Sequence, residues 1–382
     1  MIYNKLNTNT ANPKTTICLN MIVKNEAHII ERCLNLAKKF IDYWVIIDTG
    51  STDGTQELIK KFLHDIPGEL LERPWVDFAY NRNEALEAAR SKGDYLFILD
   101  ADDELIFAPN FVLPRLTADC YLIEIKKVYY SMMRANLIKN NLAWRYKGVI
   151  HEVLDDADIP YKIKYENLSG LVIQSFPEGN RAKNANRHLD DIATLKKALQ
   201  KDPDNLNYIF ILGQYAEIFN KPQEALEYFT KVITKVTDKK KMQYQYWYSL
   251  IKINDIKQQL KYSWGEVLNG YICAYNFLPQ HPYPLFMISQ YYQQRSEYSA
   301  AYLFLKQAVL LPKVLNIAFI SNDIYYFIQA NFVCCAIKVN DFSTAKKINI
   351  ELLNDVKLPY ELKELVNFNN SMLMKNDFKL SR

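Results

Sequence analysis

Acidic side chains cluster directly after a short apolar segment in the first third of the chain. The segment Leu99-Asp-Ala-Asp-Asp-Glu104 has four acids in five positions, and their repulsion costs stability unless a cation or hydrogen-bond donors offset it. Asp100 and Asp102 are two residues apart, so at a strand end both can reach one hard divalent ion from the same side. Mg2+ or Mn2+, held by these carboxylates and by diphosphate oxygens, fits the pattern. A solvated acidic turn is the alternative interpretation.

A second polar turn precedes this acidic motif, in the segment Ile46-Ile-Asp-Thr-Gly-Ser-Thr-Asp-Gly-Thr55. Gly50 permits a tight turn, and the residues after it can cap the next helix. A capped strand-to-helix turn is therefore one interpretation. Asp48 ends the predicted strand, however, and such capping does not require it. A carboxylate there can accept hydrogen bonds from a nucleobase N–H or a ribose hydroxyl, and this motif by itself leaves both interpretations open.

Three further segments have polar residues that suit either a structural or a binding role. Asn25 and Glu26 follow the first apolar run and either cap the next helix or face a bound nucleoside. Arg82 can pair with an acidic partner in the sheet or with a phosphate. Glu152 can deprotonate an acceptor hydroxyl opposite a sugar's anomeric carbon. His151 can orient Glu152 or contact the diphosphate.

Several functional classes are excluded or lack support. The sequence has no GxxxxGK[ST], GxGxxG or GxSxG motif. The six cysteines form no CxxC pair, and the five histidines are too few to complete a zinc site. A net charge of +4 is too small to argue for nucleic acid. Reduced cysteines and a polar N-terminus without an apolar signal core favour a cytoplasmic protein. No apolar run of about 18 residues predicts a transmembrane helix, and a peripheral membrane contact stays open.

The elements that position the motifs follow from alternating patterns in the first half. Apolar runs at 17–23, 43–47, 69–72 and 95–99 alternate with helical patterns at 26–40, 56–63 and 81–91. This alternation predicts a mostly parallel sheet covered by helices, in which ligands bind at the carboxyl ends of the strands. Both acidic motifs fall at those ends. Further strands at 121–129 and 170–176 predict a more antiparallel extension.

The second half is predicted to be helical. Similar stretches begin amphipathic helices at Lys221, Ser263, Ser296 and Asp341. Their anchors, at Ala225, Glu266, Ala300 and Ala345, are spaced 41, 34 and 45 residues apart. Irregular periods near 34 residues indicate tetratricopeptide-type helical hairpins, and an irregular helical bundle is the alternative. The scarcity of glycine, with 10 residues in the whole chain, suits helices.

The order of these motifs resembles family 2 glycosyltransferases with a GT-A fold. The matching segments are ICLNMIVKNEAHIIERCL, VIIDTGSTDGTQELI, FAYNRNEALEAARSKGDYLFILDADDEL and YKGVIHEVL, within residues 16–154. The chain is most similar to the branch with tetratricopeptide-like repeats behind the catalytic domain. The resemblance implies an α/β fold. A Rossmann-like GT-A domain at 16–180 follows a flexible N-terminus at 1–15 and precedes an all-α repeat domain at 181–382.

The resemblance also implies roles for individual residues. The positions implied to bind the donor, usually a uridine nucleotide, are Asn25, Glu26, Asp48, Thr49, Asp53, Arg82, Asn83 and Asp100. Asp100 and Asp102 match the DXD motif, with Asp102 the more direct ligand of Mn2+ or Mg2+. Glu152, with His151, matches the position of the catalytic base.

The implied function is inverting, metal-dependent transfer of a sugar from a nucleotide-sugar donor, a UDP-sugar by preference. The acceptor hydroxyl would lie on a glycan, a lipid-linked glycan or a protein, and the repeats leave self-association open. Two alternatives stay open at this point. One is a helical-repeat scaffold with a degenerate GT-A domain, and the other is a nucleotidyltransferase.

Overall fold

The computed structural model describes residues 15–127, 131–156, 158–312 and 323–380. Residues 1–14 of the predicted flexible N-terminus, and residues 128 and 129 of the predicted strand 121–129, lie outside this description. The chain divides into two compact units, Met1–Ala198 and Leu199–Arg382. The sequence-based domain boundary at residue 180 lies upstream of this division.

The first unit is built on a sheet. Its strands are β1 (Ile17–Val23), β2 (Tyr43–Asp48), β3 (Gly68–Glu72), β4 (Tyr95–Ile98), β5 (Asp103–Phe107), β6 (Cys120–Lys126), β7 (Ser131–Lys139), β8 (Arg145–Lys147), β9 (Val153–Asp155) and β10 (Tyr165–Ser175). Within the described ranges, eight of them form one sheet in the order β3-β2-β1-β4-β7-β6-β10-β5, and β8 pairs with β9 separately. The first four strands are parallel. Beyond β4, the pairs β4–β7, β7–β6 and β10–β5 are antiparallel, and β6–β10 is parallel. The predicted parallel sheet with an antiparallel extension is therefore confirmed.

Helices cover both faces of this sheet, with α1 (Ile30–Ala37) and α2 (Thr55–Phe62) on one face and α3 (Phe78–Ala88) on the other. The helices α4 (Asn180–Lys183) and α5 (Arg187–Lys201) follow β10 in the chain. Successive side chains of a strand point to opposite faces, so Leu19 joins the core that contains α1 while Cys18 joins the core that contains Leu86 of α3. Burial of both faces explains why β1 and β2 are almost uninterrupted apolar runs.

Four strands, β5, β7, β8 and β9, were not predicted, and one helix begins later than expected. β5 starts inside the acidic motif, and β7 crosses a segment whose apolar pattern is interrupted by Arg134 and Asn136. The helix predicted from residue 26 begins at Ile30. Asn25 has a left-handed backbone with φ of +57°, which breaks the helical path ahead of Ile30.

The second unit is a succession of helices. They are α6 (Leu206–Ile218), α7 (Pro222–Lys235), α8 (Gln243–Gln259), α9 (Trp264–Phe277), α10 (Tyr283–Gln294), α11 (Tyr298–Val309), α12 (Ile324–Lys338), α13 (Phe342–Asn354) and α14 (Lys363–Leu380). The four predicted helix starts coincide with α7, α9, α11 and α13. Each of these is the second helix of a hairpin joined by a short turn, so the predicted array of helical hairpins is confirmed.

The four hairpin turns have the same backbone conformation. Each has a non-glycine residue in the left-handed region, at Asn220, Lys261, Ser296 and Asn340. The N–H after that residue donates to the carbonyl five residues earlier, as Lys221 does to Ala216 and Asp341 does to Ala336. This is the Schellman pattern, which satisfies the last carbonyls of the preceding helix.

Within the described residues, no helix is both long and apolar enough to cross a membrane.

Candidate active site

The carboxyl ends of β1, β2 and β4 lie side by side at one edge of the sheet. Val23 pairs with Asp48 at the ends of β1 and β2, and β4 ends opposite Asn20, three residues earlier, so the loops after the three strands leave the same edge of the sheet. Ligands of parallel sheets bind at this edge. The polar turn and the acidic motif are therefore brought together as the sequence predicted.

Asp48 is fully buried and uses one carboxylate oxygen to hold the turn. Its Oδ1 accepts from the N–H groups of Gly50 at 2.9 Å and Ser51 at 2.8 Å, and from the Gln56 amide at 3.2 Å. These bonds hold the turn itself, whereas at the start of α2 the Thr55 N–H donates to Asp53. The other oxygen of Asp48, Oδ2, is buried and has no hydrogen-bond partner among the described residues. A buried acceptor without a donor is costly, so this oxygen is suited to a donor group on a ligand.

Asn25 and Asp53 join the loops after β1 and β2. The Asn25 side chain accepts from the Thr52 N–H at 2.8 Å, and the Asp53 carboxylate accepts from the Ala27 N–H at 3.0 Å and the Thr55 hydroxyl at 2.6 Å. Thr49 is buried, and its hydroxyl donates to the Val23 carbonyl at 3.1 Å. Asn25, Thr49 and Asp53, which the sequence analysis assigned to the nucleotide-sugar donor, therefore also hold the two loops in place.

Asp100 lies between two guanidinium groups. Its Oδ1 accepts from Arg82 Nη2 at 2.6 Å, and its Oδ2 accepts from Arg134 Nη1 at 3.1 Å. Burial alone would raise the pKa of Asp100, but the two arginines outweigh burial and hold the pKa well below its usual range. Both oxygens of the first DXD carboxylate are thereby engaged by the protein.

Asp103, the third acid of the motif, is completely buried under the same turn. Its Oδ2 accepts from the Asp100 N–H at 3.0 Å and from Arg134 Nη2 at 3.1 Å. Its Oδ1 has no partner among the described residues. Burial, reinforced by the charge of Asp100, raises the pKa of Asp103 to about 7. Burial and the neighbouring charge of Asp100 thus disfavour the ionised form of Asp103.

Asp102 is the carboxylate of the motif without an arginine partner among the described residues, and it lies close to Glu26. The backbone of Gly179 lies beside both carboxylates, and the Asn180 N–H donates to Glu26 at 3.2 Å. Burial first, then the charges of Asp100 and Glu26, raise the pKa of Asp102 to about 6. Burial also raises the pKa of Glu26. Because the carboxylates of Asp102 and Glu26 are close together and partly buried, binding of a proton or a cation between them is favoured.

Arg82 connects the acidic motif to the predicted base. Its Nε donates to Glu152 Oε1 at 2.6 Å, and its guanidinium lies 5.4 Å from the centre of the Tyr146 ring. The Asn83 amide bonds both ways to the backbone of Tyr146, at 2.9 and 2.8 Å. Asn83 therefore pins β8 to α3 and positions the loop that leads to Glu152. His151, next to it, is exposed and has a φ of +51°.

The side chains suit one particular way of holding a divalent cation. No group of three or more His, Cys, Asp or Glu side chains in the described ranges is arranged as a metal site. An all-protein cage is not needed, however, because Mg2+ is usually held by one or two carboxylates, water and substrate phosphates. Asp102 and Glu26 fit that role, whereas the oxygens of Asp100 already accept from arginines.

Arg134 and Asn136 are site residues that the sequence analysis missed. Arg134 Nε donates to Asn136 Oδ1 at 3.2 Å, and the Asn136 amide donates to the Ile98 carbonyl at 2.7 Å. The pairing of β7 with β6 is irregular at Asn136, between Ala135 and Leu137, and the bond between the two side chains brings Asn136 to Arg134 there. Two polar residues inside an otherwise apolar segment are the signal that could have revealed them.

A comparison with known families identifies the kind of domain in which this site lies. Residues 18–118 match the family model described as glycosyl transferase family 2. The first unit contains a family 2 glycosyltransferase domain. This family 2 domain includes the polar turn at Asp48, the acidic motif and Arg82, whereas Arg134 and Glu152 lie beyond the matched residues.

Relatives are similar over parts of the chain. The SPbeta prophage-derived glycosyltransferase SunS of Bacillus subtilis is 27% identical over 233 residues, 57% of this chain and 53% of that protein. A TPR repeat-containing protein of Synechococcus elongatus is 34% identical over 151 residues, 37% of this chain and 36% of that protein. The chain thus spans about half or less of the curated relatives it matches. A tetratricopeptide repeat protein from Parabacteroides merdae, a solved structure, is 19% identical and covers 51% of this chain and 70% of its own, with a TM-score of only 0.35.

Proposed function

We propose that this chain transfers a sugar from a nucleotide-sugar donor, a UDP-sugar by preference, to a hydroxyl acceptor with inversion at the anomeric carbon. The proposal is supported by one observation above others. At the ligand-binding edge of a family 2 domain, the buried Asp48 has a carboxylate oxygen without a partner among the described residues. On the same edge, Asp102 has no arginine partner in the part of the chain that the structure describes.

The donor nucleoside would be recognised at the turn after β2. Asp48 Oδ1 is held by two backbone N–H groups, so Oδ2 has a fixed position and can accept from a nucleobase N–H or a ribose hydroxyl. The hydrogen bonds of Asn25 and Asp53 keep the surrounding loops in place. Binding to a preformed acceptor avoids the cost of ordering it.

The diphosphate end of the donor would lie near Asp102. A divalent cation bound there with the diphosphate would neutralise the negative charge of the leaving group. Asp102 and Glu26 are the residues suited to hold it. Arg82 and Arg134 compensate Asp100, which leaves Asp102 as the acid that faces the donor.

Glu152 would act as the general base. It takes the acceptor hydroxyl proton as the acceptor oxygen forms a bond to the anomeric carbon, and the electron pair of the breaking C–O bond leaves with the nucleoside diphosphate. Arg82 holds one Glu152 oxygen at 2.6 Å, so the carboxylate keeps one orientation. Oriented proton transfer of this kind contributes about 100- to 10,000-fold to a rate.

The test is a screen of nucleotide sugars with Mn2+, read out as free nucleoside diphosphate, which needs no knowledge of the acceptor. We expect a UDP-sugar to be hydrolysed slowly, and Asp102→Asn to abolish release of UDP. Asp65→Asn, an exposed acid paired with Lys38, is the matched control and should keep the activity. Release of pyrophosphate would instead support a nucleotidyltransferase. Absence of both product release and thermal stabilisation by UDP with Mn2+ would support a scaffold with an inactive domain.

A further inference from the structure

The turn at residues 100–103 is stabilised by a cluster of charged side chains. Two of its members, Arg134 and Glu152, lie outside the residues that match the family 2 model. The cluster runs Asp103–Arg134–Asp100–Arg82–Glu152, and each neighbouring pair is joined by a hydrogen bond of 2.6 to 3.1 Å. It contains three acids and two arginines. Removal of Arg134 therefore leaves the buried Asp103 without its arginine partner.

Arg134 engages two different carboxylates with one guanidinium. Its Nη1 and Nη2 donate to Asp100 and to the buried Asp103, each at 3.1 Å. Asn136 accepts from its Nε and is itself bonded to the end of β4. A planar guanidinium presents several N–H groups in a rigid fork, which an ammonium cannot reproduce.

The contacts of Arg134 are made with the protein, which distinguishes it from an arginine that binds phosphate. All three of its nitrogens have protein acceptors, so the side chain acts on Asp100 and Asp103. Those two acids also bond to each other's backbone, with Asp103 N–H donating to the Asp100 carbonyl at 3.1 Å and Asp100 N–H donating to the Asp103 carboxylate. Arg134 thus closes a rigid turn around Asp102.

We propose that Arg134 is a positioning residue of the donor site. It bridges Asp100 and Asp103 and thereby fixes the turn, so that of these three neighbouring acids only Asp102 is presented to the cation and diphosphate of the donor. The inference rests on the proposed function, because it assigns Asp102 to the donor. Residues that orient metal ligands from behind typically change metal affinity or activity by about 10- to 100-fold when they are replaced.

The experiment compares Arg134→Met and Arg134→Lys with Lys139→Met. Lys139 is the matched control because it lies on the same strand with similar exposure, 36% against 33%, and pairs with Asp119 outside the site. Binding of UDP with Mn2+ is measured by calorimetry, and donor hydrolysis gives kcat and KM. We expect both Arg134 variants to weaken UDP–Mn2+ binding by about 10- to 100-fold, and Lys139→Met to leave it unchanged.

Chemical rescue of UDP–Mn2+ binding distinguishes a positioning role from a merely structural one. Guanidinium added to Arg134→Ala should restore part of the UDP–Mn2+ binding, whereas methylammonium should not. If Arg134→Met does not fold, Arg134→Met combined with Asp103→Asn removes the buried charge together with its partner. The same weakened binding is expected of that double variant.

The outcomes separate the inference from the function on which it rests. If the wild-type chain neither binds UDP with Mn2+ nor hydrolyses any donor, the proposed function is wrong. If the wild-type chain is active and every folded Arg134 variant matches Lys139→Met in binding and kinetics, the positioning role is wrong and the proposed function stands.

Discussion

Arg82 donates its Nε–H to the Glu152 carboxylate at 2.6 Å, and both side chains are 13% exposed. The same guanidinium donates to Asp100 at 2.6 Å. The proposed base and the first acid of the DXD motif, 52 residues apart in the sequence, are therefore two ends of one ion-paired unit. Burial would lower the pKa of Arg82, but Asp100 first, then Tyr146 and Glu152, raise it above its ordinary value, so this cation is permanent.

Glu152→Gln separates orientation from proton transfer. The glutamine carbonyl can still accept from Arg82, but it cannot take a proton at neutral pH. We expect kcat to fall by about 100- to 10,000-fold, with UDP–Mn2+ affinity nearly unchanged. Glu87→Gln, which neutralises an acid paired with Arg90 on the surface, should keep full activity. Full activity of Glu152→Gln would show that another group is the base.

Asp48→Asn tests the buried oxygen that has no partner. The amide carbonyl can keep the bonds from Gly50 and Ser51, while the amide nitrogen replaces Oδ2 and presents a donor to the nucleoside. A lost hydrogen bond to a charged acceptor costs about 1.5 to 3 kcal/mol, so UDP should bind roughly tenfold or more weakly in calorimetry. Undiminished UDP affinity would exclude Asp48 from the nucleoside site.

Asp53→Asn is the contrasting substitution on the same turn. Both of its oxygens already accept from the protein, Oδ2 from the Ala27 N–H and Oδ1 from Thr55. In asparagine, an NH2 group replaces one of these oxygens and faces the donor of Ala27 or Thr55 without accepting from it. The free energy of unfolding should therefore fall by about 1 to 2 kcal/mol. Chemical denaturation measures this loss, and a variant as stable as the wild type would contradict the loop-joining role.

His281 should make the helical unit sensitive to acid. The ring is 2% exposed, lies 4.6 Å from the Trp247 ring centre, and accepts the Tyr283 N–H on Nδ1 at 3.2 Å. Burial lowers the pKa of His281 to about 4. The unfolded chain therefore binds a proton below about pH 6.5 that the folded chain excludes until about pH 4.

The free energy of unfolding should then fall as the pH is lowered from 6.5 to 4, by up to about 3 kcal/mol from this group. His281→Asn keeps an acceptor for Tyr283 and removes the titration, so its melting temperature should depend less steeply on pH in this window. Circular dichroism of the full chain follows the helices. Parallel pH profiles for the two proteins would contradict the assignment.

Two glycines of α9 should respond to alanine in opposite directions. A methyl group at Gly270 would overlap the side chain of Asn254 on α8, whereas nothing lies within 4 Å of one at Gly265. Gly270→Ala should destabilise the chain by about 1 to 3 kcal/mol because of overpacking. Gly265→Ala should be neutral or stabilise by up to about 1 kcal/mol through helix propensity. Equal melting temperatures for the two variants would contradict the close packing of α8 and α9.

Local patterns predicted the strands and helices that position the site. β1, β2 and β4 are apolar because both of their faces are covered, and the polar residues that follow them stand out in the sequence. The second helices of the hairpins were found from their recurring starts. The left-handed turn residues between the paired helices were not predicted, because asparagine, lysine and serine stand where glycine would be the usual signal.

The partners of the acidic motif could not be predicted in the same way. Arg134 is 34 residues from Asp100, and its strand was missed because arginine and asparagine interrupt the apolar pattern. Asp103 is one of four neighbouring acids, and nothing in the sequence distinguishes the buried one from the others. Burial and ion pairing depend on how β5 and β7 cross the sheet.

The sequence by itself determined the class of the fold, the edge of the sheet where the site lies, and the acids, arginine and glutamate that gather there. Strand ends and helix starts are local, so short segments specify them. The tertiary structure decided that Asp100 is held by two arginines, that Asp48 holds its turn with one oxygen, and that Asp48 Oδ2 and the Asp102 carboxylate have no such partner among the described residues. Which acid has a partner depends on groups brought together by strand pairing, and charge compensation acts across space.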